Sequence, residues 1–95
     1  MTIARNERMG DYGHPSDNFG AIAGLWSTYL NHKHGADFTL DPDDVGFMMV
    51  LLKIARDCHK PKVDNIMDII GYADCVQMIR EERERNDNGS FNLSP

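Results

Sequence analysis

The chain has no apolar run long enough to cross a bilayer, no cysteine framework and no surplus of positive charge. A spanning helix needs about 20 consecutive apolar residues, and the stretch 45–52 falls far short of that. No signal peptide is recognisable, so a cytosolic setting is expected. The two cysteines, Cys58 and Cys75, stand in no disulfide or Cys-x-x-Cys spacing and read as reduced thiols. Ten Lys and Arg against 15 Asp and Glu leave a net charge of −5, which argues against general nucleic-acid binding, because neutralising phosphates takes an excess of cations. A small anionic ligand stays open, since it needs only a local basic cluster. Proline is scarce, and three of its four occurrences, Pro15, Pro42 and Pro61, sit where helices would start or stop.

What is present is ordinary globular composition, 41% apolar and 26% charged, in a chain of 95 residues that fits a single domain. A chain of this size buries about 60–65% of its unfolded surface, so association would add to a thin core. The pattern predicts an all-α, compact three-helix domain over 1–85, assembled into a homo-oligomer. Its parts are an N-terminal loop 1–14, helices at about 15–31, 42–58 and 63–85, and a flexible polar tail 86–95.

The first helix opens at His14-Pro15-Ser16-Asp17, where His14 or Ser16 can cap and Asp17 suits the positive end of the dipole. Its apolar stripe is Phe19, Ile22, Ala23, Trp26, Tyr29 and Leu30, with Trp26 and Tyr29 expected in the core. Gly35 falls in the segment that ends it, and Phe38-Thr39-Leu40 reads as a short extended link. The second helix starts at Asp41-Pro42-Asp43-Asp44, with Asp41 as cap and two acids for the dipole. Residues Val45-Gly46-Phe47-Met48-Met49-Val50-Leu51-Leu52 carry no polar side chain, the mark of a helix buried all round. Two neighbours cannot cover every face, so self-association through 45–52 is expected. In the third helix Ile66, Ile69, Ile70, Ala73, Val76 and Ile79 form the expected core face.

Candidate site residues fall in three places. The loop before the first helix gathers Arg5, Arg8, Tyr12, Gly13, His14 and Asn18 at a helix N-terminus, where unpaired N–H groups and the dipole favour an anion. The same loop can equally be a plain helix entry. Tyr12 has little helical packing to explain it and can stack on a base beside the permissive Gly13. Lys53 and Arg56 lie three apart near the end of the second helix; the dipole alone accounts for them, or they grip phosphate oxygens. Asp64 and Asp68, four apart with Asn65 and Tyr72 nearby, repel and call for compensation by a salt bridge to Lys53 or Arg56, or by Mg²⁺. No zinc spacing and no recognisable nucleophile turn is present.

The pattern Arg8-x-x-x-Tyr12-Gly13-x-Pro15-x-x-Asn18-Phe19, followed by Leu51-Leu52-Lys53-Ile54-Ala55-Arg56 and Asp64-Asn65-x-x-Asp68-Ile69-x-Gly71-Tyr72, resembles a family of small phage and prophage proteins of unknown function, DUF6378. The resemblance covers about residues 5 to 80 and implies a phage origin and an α-helical fold. A more distant similarity is to all-α nucleoside triphosphate pyrophosphohydrolases of the MazG type, which hold Mg²⁺ with a Glu-x-x-Glu pair and further carboxylates. The first helix here has no Glu-x-x-Glu, and only Asp64 and Asp68 remain. The expected function is therefore a nucleotide-binding protein without cofactor or turnover, which sequesters a host nucleotide immune signal in the infected cell. The alternatives are a Mg²⁺-dependent hydrolase using Asp64 and Asp68, and a protein antagonist of a host factor. In the binding reading Arg8, Tyr12, His14, Asn18, Lys53 and Arg56 gather around one pocket.

Overall fold

In a computed structural model, residues 13–93 are described; they form α1 (Pro15–His34), α2 (Pro42–His59) and α3 (Val63–Leu93), with no strand among them. The fold is all-α, as the apolar periodicity predicts. Each helix start has a local cause. His14 caps α1, its Nδ1 accepting the Ser16 N–H at 3.0 Å, so the histidine and not Ser16 is the cap. Gly13 just before it has φ 78°, a left-handed conformation that favours glycine. At α2 the Asp44 carboxylate reaches back to accept the Asp41 N–H at 2.8 Å, with Pro42 in the first turn. Gly35, at φ 63° and ψ 27°, closes α1 in the left-handed conformation common after helix ends.

The third helix runs to Leu93, past the boundary near Arg85 and into the segment 86–93 expected as a loose tail. Once a helix is nucleated by packing, each added residue gains a hydrogen bond at small cost, and polar composition alone does not stop it.

The link between α1 and α2 is held by two α1 side chains four apart. Ser27 Oγ donates to the Ala23 carbonyl at 2.7 Å and accepts the Leu40 N–H at 2.8 Å. Asn31 pairs with both backbone groups of Phe38, donating at 2.7 Å and accepting at 3.2 Å. The rise over four helical residues, about 6 Å, matches two residues of extended chain. The predicted extended segment thus runs along α1 like a strand on a ladder of side chains.

The core lies where α1 crosses the α2–α3 pair. Phe19, Ala23, Val45, Cys75 and Ile79 form its buried cluster, with Ile22, Trp26, Leu40, Met49 and Tyr72 packed around it. On α1 the buried row is Pro15, Phe19, Ala23 and Ser27, spaced by four. Tyr29, expected in the core, is 60% exposed, with Lys33 one turn on lying 6.0 Å over its ring. On α3 Val76 and Ile79 are buried as expected, but Cys75 and Met78 complete the core, while Ile66, Ile70 and Ala73 face out. Two apolar stripes compete on α3, and α1 docks on only one of them. The apolar run on α2 is likewise covered on one side only: Val45 and Gly46 are buried, whereas Phe47, Met48, Leu51 and Leu52 are exposed.

Gly46 marks the closest approach of α2 and α3. A Cβ built there would overlap Val76 Cγ2 and touch Phe19, so only glycine fits. At the same end Asp43 accepts from Arg80 at 3.1 Å and Arg83 at 2.7 Å, joining the start of α2 to the later turns of α3.

Candidate functional site

The opposite end of the α2–α3 pair carries the chemistry. Helix α2 stops at His59, Lys60-Pro61-Lys62 turns the chain, and α3 starts at Val63. Pro61 prevents a continuous helix. Asp57 then locks the turn: its Oδ1 accepts the Lys62 N–H at 3.1 Å and the Asn65 side-chain N–H at 3.2 Å. Asn65 is buried at 6% exposure, and its backbone N–H bonds the Lys62 carbonyl at 3.1 Å. A buried amide satisfied in this way makes the turn a defined platform.

On this platform lies an open groove of about 630 Å³, lined by the cations Lys53, Arg56, Lys60 and Lys62, by His59, and by Asp64, Asn65 and Asp68, with Ala55 at its wall. Four of the chain's ten Lys and Arg therefore meet in one place, against two lining carboxylates. In a chain of net charge −5 this is a local reversal of sign. The start of α3 adds the positive end of a helix dipole. Of the lining cations, Lys53 is spoken for. Its Nζ sits 2.8 Å from Asp68 Oδ2, with the lysine side chain only 15% exposed. The repulsion between Asp64 and Asp68 is thus relieved by a salt bridge within the chain, one of the two solutions their spacing allowed. Arg56, Lys60 and Lys62 are exposed and have no carboxylate partner among the described residues.

The predicted site residues fall into separate groups. Lys53, Arg56, Asp64 and Asp68 share the groove. His14 does not join them: its Nε2 meets Glu82 Oε2 at 3.0 Å. Because Nδ1 accepts the Ser16 N–H, it carries no proton, and Nε2–H is the donor to Glu82. Glu82 and Asp68 are separated by roughly 20 Å along α3, so the capping end of α1 and the groove are distinct places within one chain. Gly13 and Asn18 belong to the His14 end by sequence, and Tyr72 packs at the core with its ring 6.4 Å from that of Phe19. Arg5, Arg8 and Tyr12 lie outside the described residues. Sequence reasoning used His59, Lys60 and Lys62 only to end a helix. The signal that they belong to the site was the Lys-Pro-Lys turn directly after a basic helix end.

Among the described residues no group of three or more His, Cys, Asp or Glu is placed to hold a metal ion. Nor is any helix among them long and apolar enough to cross a membrane. Chemically, the arrangement can offer an anionic group point charges from lysine and a bidentate fork from Arg56.

Fold and groove together define a small all-α domain with a cationic recess at the α2–α3 turn. A family model described as "Domain of unknown function (DUF6378)" matches residues 1–80, and the chain belongs to this family. It is 40% identical over 89 residues to the Gene 55 protein of Mycobacterium phage L5, covering 92% of this chain and 54% of that protein. With the Gene 55 protein of Mycobacterium phage D29 it shares 39% identity over 84 residues, 84% of this chain and 50% of the relative. The chain thus spans about half the length of the curated relatives it matches. No solved structure matches it.

Proposed function

We propose that this phage protein binds a nucleotide through its phosphates in the α2–α3 groove and holds it without turnover. The observation that carries the reading is the convergence of Lys53, Arg56, Lys60 and Lys62 on one recess of an acidic chain. Arg56 offers a planar fork to phosphate oxygens, while Lys60 and Lys62 add mobile point charges from the turn. Asn65 and Asp64 supply a neutral amide and an acceptor for sugar or base edges. A recess of 630 Å³ lies in the range of small-molecule sites. Asp68 is engaged by Lys53, which favours binding over metal-dependent hydrolysis. In an infected cell such binding would withdraw a nucleotide immune signal of the host from its receptor.

The test is native mass spectrometry and calorimetry of the purified chain with a panel of mono-, di- and cyclic nucleotides, with and without EDTA. The expected result is a bound nucleotide that is released intact on denaturation and is insensitive to the chelator. Absence of binding across the panel, or Mg²⁺-dependent appearance of product, would overturn it.

A further inference from the structure

The α2–α3 pair has two broad faces, and α1 covers one. Phe19 and Ala23 of α1 meet Val45, Cys75 and Ile79 on that side, and His14 reaches Glu82 there. The other side is open. On α2 it presents Phe47, Leu51 and Ile54, spaced by four and three and exposed by 47%, 63% and 45%. On α3 it presents Ile66 and Ile70, also about half exposed, and their row continues through Ala73 to Arg80. Arg80 lies 5.5 Å over the Phe47 ring, so the two rows adjoin. Met48, Val63 and Met67 flank them, and none of these apolar positions carries a charge. Arg56 lies nine residues beyond Phe47, about 180° round the helix at 100° per residue, so the groove opens away from this face.

We propose that this open face is the interface for a second copy of the same chain, with α2 and α3 of one protomer stacked on α2 and α3 of the other. Three observations favour a second copy. Eight large apolar side chains on or beside the face are each 40–73% exposed, a contiguous apolar patch of the kind that marks an interface. The molecule is a slab of 56 × 41 × 19 Å, two helix layers thick, and a copy on the open face places α2 and α3 at the centre of a helical bundle. Its radius of gyration is 15.7 Å, against about 12 Å for a self-contained globule of this length. A two-fold contact needs only that one surface suits itself, and a mainly apolar face with Arg80 at its edge does so in a chain whose net charge would otherwise repel.

The measurement is sedimentation equilibrium or light scattering of the whole chain over micromolar concentrations, for the natural sequence and for Leu51→Glu, Ile70→Glu and Leu25→Glu. Leu25, 71% exposed on α1, lies off the face and serves as control. The expected result is twice the chain mass for the natural protein. Leu51→Glu and Ile70→Glu should raise the dissociation constant at least ten-fold with unchanged helical circular dichroism, and Leu25→Glu should leave it unaltered. If a glutamate variant loses helicity, Ile66→Ser and Leu51→Gln replace it. A natural chain that stays monomeric overturns the proposal. So does a dimer that withstands substitution at both 51 and 70, or one dissociated only by Leu25→Glu.

Discussion

Gly46 of α2 and Val76 of α3 approach so closely that the first carbon of any side chain at 46 would overlap the valine. The close crossing of α2 and α3, with Val45 buried beside it, depends on that missing atom. Gly46→Ala should therefore lower stability by a net 1–2 kcal/mol, roughly, the overpacking cost exceeding the helical preference of alanine. Gly24, in the middle of α1 with nothing within 4 Å of its would-be Cβ, is the contrast. Gly24→Ala should stabilise by up to about 1 kcal/mol. Urea unfolding of both variants checks the pair of signs.

Ser27 is the hinge pin of the α1–α2 link, accepting the Leu40 N–H from a buried position. Ser27→Ala leaves that N–H without its partner and should cost about 1–3 kcal/mol. Hydrogen exchange at the Leu40 amide should accelerate well beyond the change at amides inside α2.

Asp43 ties stability to pH. Burial pushes its carboxyl up, but the hydrogen bonds and charges of Arg83 and Arg80 outweigh burial and hold it below its ordinary value. The same contact raises Arg83. A carboxylate lowered on folding contributes fully above its unfolded value of about 4 and loses that contribution as pH falls through the folded value. Asp43→Asn should thus be less stable than the natural chain at pH 6, with the gap closing as pH falls below the ordinary aspartate range. Thermal melts at several pH values decide it; a gap independent of pH would remove the ion cluster as the cause.

His14 caps α1 through an unprotonated Nδ1 while Nε2–H holds Glu82. His14→Ala should cost about 0.5–2 kcal/mol, the usual loss for a missing cap. His14→Asn should recover most of it, because asparagine caps well without reaching Glu82, and denaturant midpoints compare the two.

In the groove, Arg56→Ala should weaken nucleotide binding roughly ten-fold or more, about 1.4 kcal/mol, with helicity intact. Raising salt should weaken binding by the natural chain more than by the variant, since one phosphate contact is already gone. Equal affinity at both would move the site away from the α2–α3 turn.

Helix starts were open to reading because their causes are local: a proline in the first turn, acids beside it, and a cap residue just before. The spacing of Lys53 and Arg56, and of Asp64 and Asp68, also placed four groove residues correctly on two consecutive helices. The pairing of Lys53 with Asp68 was one of several the spacing allowed, and the register between α2 and α3 chose it. His14 was grouped with that set by chemistry alone. Its partner Glu82 sits on a distant turn of α3, and no local pattern links the two.

The sequence by itself determined three helices, their start points and the acidic character of the whole, since capping, proline placement and charge act over a few residues. Which face of each helix is buried was decided only in the tertiary structure. Helices α2 and α3 are apolar on more than one side, and it is the docking of α1, across the gap left by Gly46, that buries Cys75, Met78 and Ile79 and leaves Phe47, Leu51, Ile66 and Ile70 uncovered. The groove has the same origin. Its charges are written in the chain, but they meet because Asp57 and buried Asn65 hold the Lys60–Lys62 turn in one shape.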